Sequence, residues 1–336
     1  MIKVLRTTVA VASLAVLFIS CGEDREYEAE MGWDKVFTMQ AEIGSGGIMD
    51  LWFNGPNDGW ACVDDKILHY DGASWTVAHR VRDSFPREAP FFRAISAARP
   101  DNIWVAGRSG WEDKLYHYDG NAWEDVPVVG TYLDTCEIYF PSDSRGWMAT
   151  DEGIYYYENG NWTLQVAGNV RDICFASEDD GWAAVSTYLY RWDGVGWTPV
   201  TLCEMDEGGI YDVSAASADL WWAVGRGITG EGYERKTFPL FYRYDGVSWK
   251  ELNWPGNLYK INKCGVAADG TGWVLEYGTS WPTQLWAHDG TAATDNLYLE
   301  DGVINEIWVF ADGETWVCTT SVDTTITKIW HRPAGQ

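Results

Sequence analysis

One pattern constrains this chain more than any other: a tryptophan that follows a short turn recurs along nearly its whole length. The intervals between successive copies run from 35 to 51 residues. Periods of about 40–50 residues are typical of repeated supersecondary units, and four-stranded propeller blades repeat at about 40–45. We therefore expect seven copies of one structural unit. The tryptophans are Trp60, Trp104, Trp147, Trp182, Trp222, Trp273 and Trp316.

A second motif, an Asp-Gly or Asn-Gly turn, follows each repeat tryptophan except the last. Between apolar runs such a dipeptide indicates a tight hairpin in which both central residues have positive φ. In five units the turn leads into another tryptophan, as in Asp71-Gly72 before Trp75, Asp119-Gly120 before Trp123, and Asp245-Gly246 before Trp249. Each unit divides into four strands, which in the first unit are residues 48–53, 60–63, 67–70 and 75–78.

The seventh unit ends without a fourth strand, and the missing strand has a counterpart at the other terminus. Residues 32–36, Gly-Trp-Asp-Lys-Val, resemble the fourth strands of the other units. Because an unpaired edge is a liability, we expect this segment to pair with the last unit. The sequence thus predicts an all-β, seven-bladed β-propeller of four-stranded antiparallel blades over residues 32–333, closed by the N-terminal strand. A six-bladed ring with a ragged end is the alternative.

Charge and composition narrow the class of partner. The chain has 24 Lys and Arg against 50 Asp and Glu, a formal charge of −26. Such a surface repels phosphate backbones, which argues against nucleic-acid binding. With 46% hydrophobic residues the chain can build a large core.

The first 20 residues have the pattern of a bacterial signal peptide. Lys3 and Arg6 precede an apolar stretch from residue 9 to 19 that is too short to span a bilayer. The stretch ends in Phe-Ile-Ser-Cys, which resembles the lipobox of bacterial lipoproteins. That resemblance implies a signal peptide over residues 1–20, a lipid on Cys21, and an acidic tether over residues 21–31. Gly22, where an Asp would signal inner-membrane retention, favours the outer membrane. An ordinary secretory signal is the alternative.

Residues 101–107 and 115–123 resemble bacterial extracellular propeller repeats: the two-component-regulator, photosystem II assembly-factor-type and Asp-box (BNR-like) groups. The resemblance implies the propeller fold. It does not settle function, because such repeats serve sensors, assembly factors and sialidases. The Asp-box motif itself is absent, since Asp and Gly are adjacent in these turns.

No catalytic arrangement is legible in the sequence. His69 and His117 occupy one position of the third strand, so they are repeat residues, and no pair of histidines has metal-ligand spacing. A sialidase- or glycosidase-like enzyme would need an arginine cluster beside a carboxylate pair. Arg93 and Arg171 fall on predicted inner strands, and a third inner arginine is lacking. We therefore expect no catalytic residues and treat a carbohydrate-active enzyme as the alternative function.

Ten residues before the repeat tryptophan, five of the seven units carry an acid. These acids fall near the start of the innermost strands, where they could crowd the mouth of a central channel and bind Ca²⁺. They could instead bond to the backbone of the neighbouring blade. The five are Asp50, Glu137, Asp172, Asp212 and Glu306.

Three tryptophans lie outside the repeat positions and the strands. All three fall in links between the second and third strands or between units, where link length varies. Aromatic side chains in loops on a rigid scaffold are typical contacts for glycans and proteins. We predict a partner site centred on Trp254 and Trp281, with Trp111 and Tyr233 at its margin. The predicted function is binding or scaffolding of an envelope protein or a glycan, without a cofactor other than Ca²⁺.

Overall fold

A computed structural model describes residues 32–40, 47–86, 90–129, 137–254, 261–276, 284–297, 302–321 and 326–335. These residues form seven four-stranded antiparallel sheets. The first strands of successive sheets contact one another all the way round, and the first sheet contacts the last. The sheets are therefore the blades of a closed ring, and we letter the strands of each blade a to d from the centre outward.

The strands follow one another in chain order, apart from the first. The N-terminal strand is β1 (Asp34–Gln40). Blade 1 contains β2 (Ile48–Gly55), β3 (Asp58–Val63), β4 (Lys66–Tyr70) and β5 (Trp75–Arg80). Blade 2 contains β6 (Pro90–Arg99), β7 (Asn102–Ser109), β8 (Glu112–Tyr118) and β9 (Trp123–Val126). Blade 3 contains β10 (Glu137–Ser142), β11 (Arg145–Ala149), β12 (Gly153–Glu158) and β13 (Asn161–Ala167).

The remaining blades repeat this order. Blade 4 contains β14 (Val170–Ser177), β15 (Asp180–Val185), β16 (Tyr188–Trp192) and β17 (Trp197–Val200). Blade 5 contains β18 (Glu207–Ser217), β19 (Leu220–Thr229), β20 (Lys236–Tyr244) and β21 (Trp249–Glu251). Blade 6 contains β22 (Ile261–Val266), β23 (Gly272–Glu276), β24 (Gln284–His288) and β25 (Ala293–Leu297). Blade 7 contains β26 (Gly302–Val309), β27 (Thr315–Ser321) and β28 (Ile326–Arg332), and its fourth strand is β1.

Helical structure in the described residues is limited to two short pieces. They are α1 (Val81–Ser84), between blades 1 and 2, and one 3₁₀ turn (Gly232–Glu234), between β19 and β20. No helix in the described ranges has the length and apolar character needed to cross a membrane.

The predicted closure of the ring is confirmed. β1 pairs antiparallel with β28, and Asp34 lies opposite His331 near the end of that strand. Trp33 is buried, with its ring centroid 5.4 Å from that of Trp273 in blade 6. Trp75 and Trp249, at the start of two other d strands, make the same contact with the repeat tryptophan of the preceding blade, at 5.9 Å and 5.1 Å.

Two faces of the ring follow from the antiparallel strand order. The turn face carries the a–b and c–d links, and the loop face carries the b–c and d–a links. β1 begins at the turn face. The seven repeat tryptophans are all buried between blades, which explains why the sequence repeats them.

The Asp-Gly turns differ from the predicted two-residue hairpin. In Asp119-Gly120 only the glycine has a positive φ, of 89°, because Asp119 Oδ1 instead accepts hydrogen bonds from the backbone N–H groups of Asn121 and Ala122. A Cβ on Gly120 would lie 2.8 Å from Cβ of Asp101. The loop between β8 and β9 thus has four residues, 119–122, instead of two. In Asn159-Gly160 both residues have positive φ, as predicted.

Three blades share a polar arrangement around the repeat tryptophan. In blade 2, Asn102 Oδ1 accepts a hydrogen bond from Trp104 Nε1 at 3.0 Å and is bonded to His117 Nε2 at 2.9 Å. The imidazole stacks on the indole with centroids 4.1 Å apart. Blades 1 and 7 repeat this with Asp58, Trp60 and His69, and with Glu314, Trp316 and His331. These histidines therefore have a structural role.

Candidate functional site

The central channel holds a cavity of about 200 Å³ at the axis of the ring. Its lining includes the residue ten positions before the repeat tryptophan in six of the seven blades. In blade 2 the position is Ala94, which does not line the cavity. The six residues are Asp50, Glu137, Asp172, Asp212, Lys263 and Glu306. The structure thus brings together all five acids that the sequence singled out, and adds one lysine to them.

A β-bulge sets the direction of five of these six side chains. In blades 1, 4, 5, 6 and 7 the a–b register shifts by one residue just before the channel position, as between Ile48 and Asp50 in blade 1. Glu137 is the first residue of β10 and pairs with Ala149 without such a shift before it. The extra residue on strand a re-aims the side chain that follows it. Each channel residue then lies opposite a small or aliphatic residue of strand b, such as Cys62 or Ala184.

Three of the carboxylates accept a hydrogen bond from the backbone of the next blade. Asp50 Oδ2 accepts a hydrogen bond from the backbone N–H of Ile95 in blade 2 at 2.7 Å. Asp172 Oδ2 accepts one from Val213 in blade 5 at 2.7 Å. Asp212 Oδ2 accepts one from Cys264 in blade 6 at 2.8 Å. The backbone-bonding role considered for these acids is therefore present.

Lys263 is the cation inside the ring of acids. Its ammonium group hydrogen-bonds to the carboxylate of Glu306 in the adjacent blade. The same nitrogen lies 3.7 Å from Asp212 Oδ1 and 4.0 Å from Glu137 Oε1. Glu137 belongs to blade 3, so the lysine reaches across the channel. One ammonium therefore faces several carboxylates.

Burial and mutual repulsion raise the pKa values of four of these acids. Burial, with the charge of Glu306 added, raises the pKa of Asp50 to about 8. Burial raises the pKa of Asp172 to about 6, and it raises the pKa values of Glu137 and Asp212 well above their usual range. Burial alone would lower the pKa of Lys263, but the carboxylates around it raise that pKa. Near neutral pH some of these carboxyl groups are therefore protonated, while others carry a negative charge.

Aromatic rings form a second layer of the cavity wall. Trp52, Tyr139 and Trp308 each lie two residues beyond an acid on the same strand and line the same cavity. Because alternate residues of a strand share a face, this layer is displaced toward the turn face by about 7 Å. The ring centroid of Trp52 lies 5.8 Å from that of Tyr139 and 6.1 Å from that of Trp308. The channel is therefore acidic near the loop face and aromatic farther in.

The Ca²⁺ site suggested for the acids stays a prediction. Within the described ranges, no group of three or more His, Cys, Asp or Glu side chains is arranged to hold a metal ion. Three of the five acids use oxygens to accept backbone hydrogen bonds, which leaves fewer lone pairs for a cation that takes six to eight oxygen ligands.

Two of the predicted aromatic contacts stand out from the loop face. Trp111 lies at the tip of the β7–β8 hairpin of blade 2, and 92% of its side chain is exposed. Tyr233 lies between β19 and β20 of blade 5 and is fully exposed. Blades 2 and 5 are three positions apart in the seven-membered ring, so the two side chains lie on opposite sides of the channel mouth. The guanidinium of Arg108 lies 6.0 Å from the indole of Trp111.

Of the two residues predicted as the centre of the partner site, the structure describes Trp254 but not Trp281. Trp254 follows β21 and is half-buried, with its ring 6.1 Å from Phe241 and 5.7 Å from Trp286. Part of its indole therefore belongs to the core between blades 5 and 6. Trp281 lies outside the described residues, as do the signal peptide, Cys21 and the tether. Their predicted roles stay predictions.

The ring, its closure and its channel define a seven-bladed β-propeller. No protein-family model matches the chain, and no curated protein matches it. Solved structures with the same fold include YCF48 from Cyanidioschyzon merolae, at 15% identity and TM-score 0.60, over 88% of this chain and 98% of that one. The structure described as YCF48 bound to D1 peptide has 15% identity and TM-score 0.59, over 90% and 96% of the two chains.

An enzyme also shares this fold. The GH74 xyloglucanase from Xanthomonas campestris is 13% identical, with TM-score 0.60, and the match covers 90% of this chain and 56% of that one. At such identities the similarity concerns the fold alone, which binding proteins and glycoside hydrolases share. The residues that bear on function are therefore those of the channel and the loop face.

Proposed function

We propose that the protein is a non-catalytic binding module, anchored to the bacterial envelope by a lipid on Cys21, with the outer membrane favoured. It binds an envelope protein or a glycan through the loop face. The observation that carries this proposal is the pair of exposed aromatic side chains, Trp111 and Tyr233, on opposite sides of the channel mouth.

The physical reason is the cost of leaving such side chains in water. Burying a large aromatic side chain in a partner interface contributes about 1.5–3 kcal/mol. Aromatic residues are also enriched among the side chains that dominate binding energy. Both hairpins are extensions of well-paired strands, so the tips are held on a rigid scaffold. Such a scaffold lowers the entropy lost on binding.

A carbohydrate-active enzyme is the second candidate, supported by the converging carboxylates of the channel. A sialidase-like site would add an arginine cluster. Among the described residues that line the cavity, the cationic side chain is Lys263, and it is bonded to Glu306. Three of the five acids are also committed to backbone N–H groups, which favours the binding module.

The test is capture of envelope components by the full chain in detergent, compared with a Trp111→Ala, Tyr233→Ala double variant. We expect the variant to melt like the wild type, because both side chains are exposed, and to lose the captured species. The matched control replaces Val195 and Val247, two exposed residues of turn-face loops, by Ala. Equal capture by all three proteins would rule out the loop face.

A further inference from the structure

We propose that the partner is a protein, and that it inserts one lysine or arginine side chain into the central channel from the loop face. This inference rests on the proposed function and names the chemistry of the partner. Five carboxyl groups and four aromatic side chains, those of Trp52, Tyr139, Phe175 and Trp308, line the cavity that would receive the side chain.

The cavity lining contains five acidic side chains and one basic side chain, so it favours the entry of a further cation. Lys263 bonds directly to Glu306, but it lies 3.7 Å from Asp212 and 4.0 Å from Glu137, beyond hydrogen-bond distance. Glu137 accepts no hydrogen bond from any residue in the described ranges, and its side chain is 24% exposed to the channel. An entering ammonium or guanidinium would find an unused acceptor there. Inside the channel, where protein replaces part of the surrounding water, that pairing is stronger than on the open surface.

The aromatic layer supplies the second half of the recognition. A cation within about 6 Å of an indole or phenol face is attracted by the ring, by about 0.5–2 kcal/mol. The same rings cover the aliphatic stem of a lysine or arginine side chain. Trp52, Tyr139 and Trp308 lie just beyond the acids along the same strands, at the depth that a long side chain reaches.

The size of the cavity favours one side chain over a sugar chain. Sites for small organic ligands usually measure about 300–1,000 Å³, whereas this cavity measures about 200 Å³. The acidic end faces the mouth, and Trp111 and Tyr233 stand on either side of it. An extended peptide could therefore contact both aromatic tips while its central side chain enters the channel.

Such binding would release protons. Asp50, with a pKa of about 8, and Asp172, with a pKa of about 6, are partly protonated near neutral pH. Burial also raises the pKa values of Glu137 and Asp212 well above their usual range, so these carboxyl groups hold protons too. A bound cation favours their ionised forms, so affinity should rise with pH between about 6 and 9.

The experiment titrates the full chain, in detergent, with a capped five-residue peptide that carries one arginine between glycines. The same peptide with citrulline keeps the shape and removes the charge. We expect the arginine peptide to bind, the citrulline peptide to bind at least tenfold more weakly, and the arginine affinity to increase from pH 6 to pH 9. Isothermal titration in two buffers of different ionisation enthalpy would report the released protons.

Two isosteric variants make the test specific. Glu137→Gln removes a carboxyl group whose contact with Lys263 is at 4.0 Å, without breaking an inter-blade hydrogen bond. It should weaken binding of the arginine peptide about tenfold, about 1.4 kcal/mol. Glu124→Gln, on the exposed outer strand of blade 2, is the control and should bind as the wild type does. Lys263→Met removes the internal competitor and should strengthen binding.

The inference is overturned if the two peptides bind alike, if neither binds, or if Glu137→Gln and Glu124→Gln behave alike. These failures are separable from failure of the proposed function. If envelope capture still depends on Trp111 and Tyr233 while the arginine peptide does not bind, only the channel inference falls.

Discussion

Lys263, on the innermost strand of blade 6, reaches across the channel to within 4.0 Å of Glu137 on blade 3. Most contacts in a propeller join adjacent blades, because each repeat packs only against its neighbours. This lysine therefore couples blades that do not touch through their sheets. It also keeps the opposing carboxylates of the channel from facing one another without a cation.

Asp172→Asn should make stability less dependent on pH. The pKa of this carboxyl is raised to about 6 in the folded protein, from 3.8. Above pH 4 the unfolded chain loses the proton first, so ionisation costs stability as pH rises toward 6 and fully above it. The variant keeps an oxygen for the Val213 N–H. At pH 8 we expect it to be more stable than the wild type by on the order of 1–3 kcal/mol, and at pH 4 nearly equal, measured by urea unfolding.

Asp193→Asn is the matched control for that measurement. Asp193 lies in an exposed turn, where hydrogen bonds from the backbone N–H groups of Gly196 and Val195 lower its pKa. Its ionised form therefore stabilises the fold above pH 4, and this variant should be less stable than the wild type at pH 8. Effects of the same sign in both variants would contradict the assignment of Asp172.

Calcium should not change the melting temperature. Asp50, Asp172 and Asp212 already bond to backbone N–H groups, and Lys263 lies among the acids. Thermal unfolding of the wild type and of an Asp172→Asn, Asp212→Asn double variant, each with Ca²⁺ and with a chelator, measures this. A calcium-induced rise in the wild type that is lost in the double variant would establish a cation site instead.

Trp33→Ala should weaken the closure of the ring. The indole is buried against Trp273, and removing a buried aromatic side chain usually costs about 3–5 kcal/mol. Trp111→Ala removes an equal volume from an exposed position and should change stability by less than about 0.5 kcal/mol. Denaturant midpoints compare the two. A truncation that starts at residue 41 and melts like the full chain would refute the closing role of β1.

Asn102→Ala should be strongly destabilising, although it removes only the amide group of one buried side chain. It leaves Trp104 Nε1 and His117 Nε2 buried without their shared acceptor. Each unmet buried donor costs about 1–3 kcal/mol. Asn102→Asp, which keeps an acceptor for both donors as in blades 1 and 7, should recover most of the loss in the same unfolding assay.

If Cys21 carries the proposed lipid, Cys21→Ser should release the protein from the membrane fraction, or leave it unprocessed. Cys203→Ser, at a half-buried position of the ring, is the control and should stay with the envelope. Membrane fractionation and the mass of the mature chain report both outcomes. A Cys21→Ser protein that fractionates with the envelope at the mature mass would contradict lipidation.

The ring could be predicted because its signals are local and repeated. The tryptophan period, the Asp-Gly turns and the unmatched Trp33 each report a contact made within a blade or with the next one. The polar triads were also open to sequence reading. Asp58, Asn102 and Glu314 stand two residues before the repeat tryptophan in the same three units that carry His69, His117 and His331.

The channel was only partly predictable. The acids could be found by counting back from the tryptophan, but the bulge before Asp50 adds a residue that a simple alternation of side chains does not reveal. The pairing of Lys263 with Glu137 joins residues 126 positions apart and depends on the diameter of the ring. The exposure of Trp111 and the half-burial of Trp254 likewise depend on how each loop folds. The sequence of either loop is compatible with an exposed or a packed tryptophan.

The position of β1 sets the face of the ring at which the first described residues lie. Asp34 pairs near the turn-face end of β28, so residues 32–34 lie on the side opposite the acidic mouth of the channel. If Cys21 carries a lipid, the thirteen steps to Asp34 span at most about 45 Å. The acidic mouth of the channel is then on the face opposite the point where the tether joins the ring. A partner embedded in that same bilayer would have to curve around the disc, whereas one arriving from the facing compartment would meet the mouth directly.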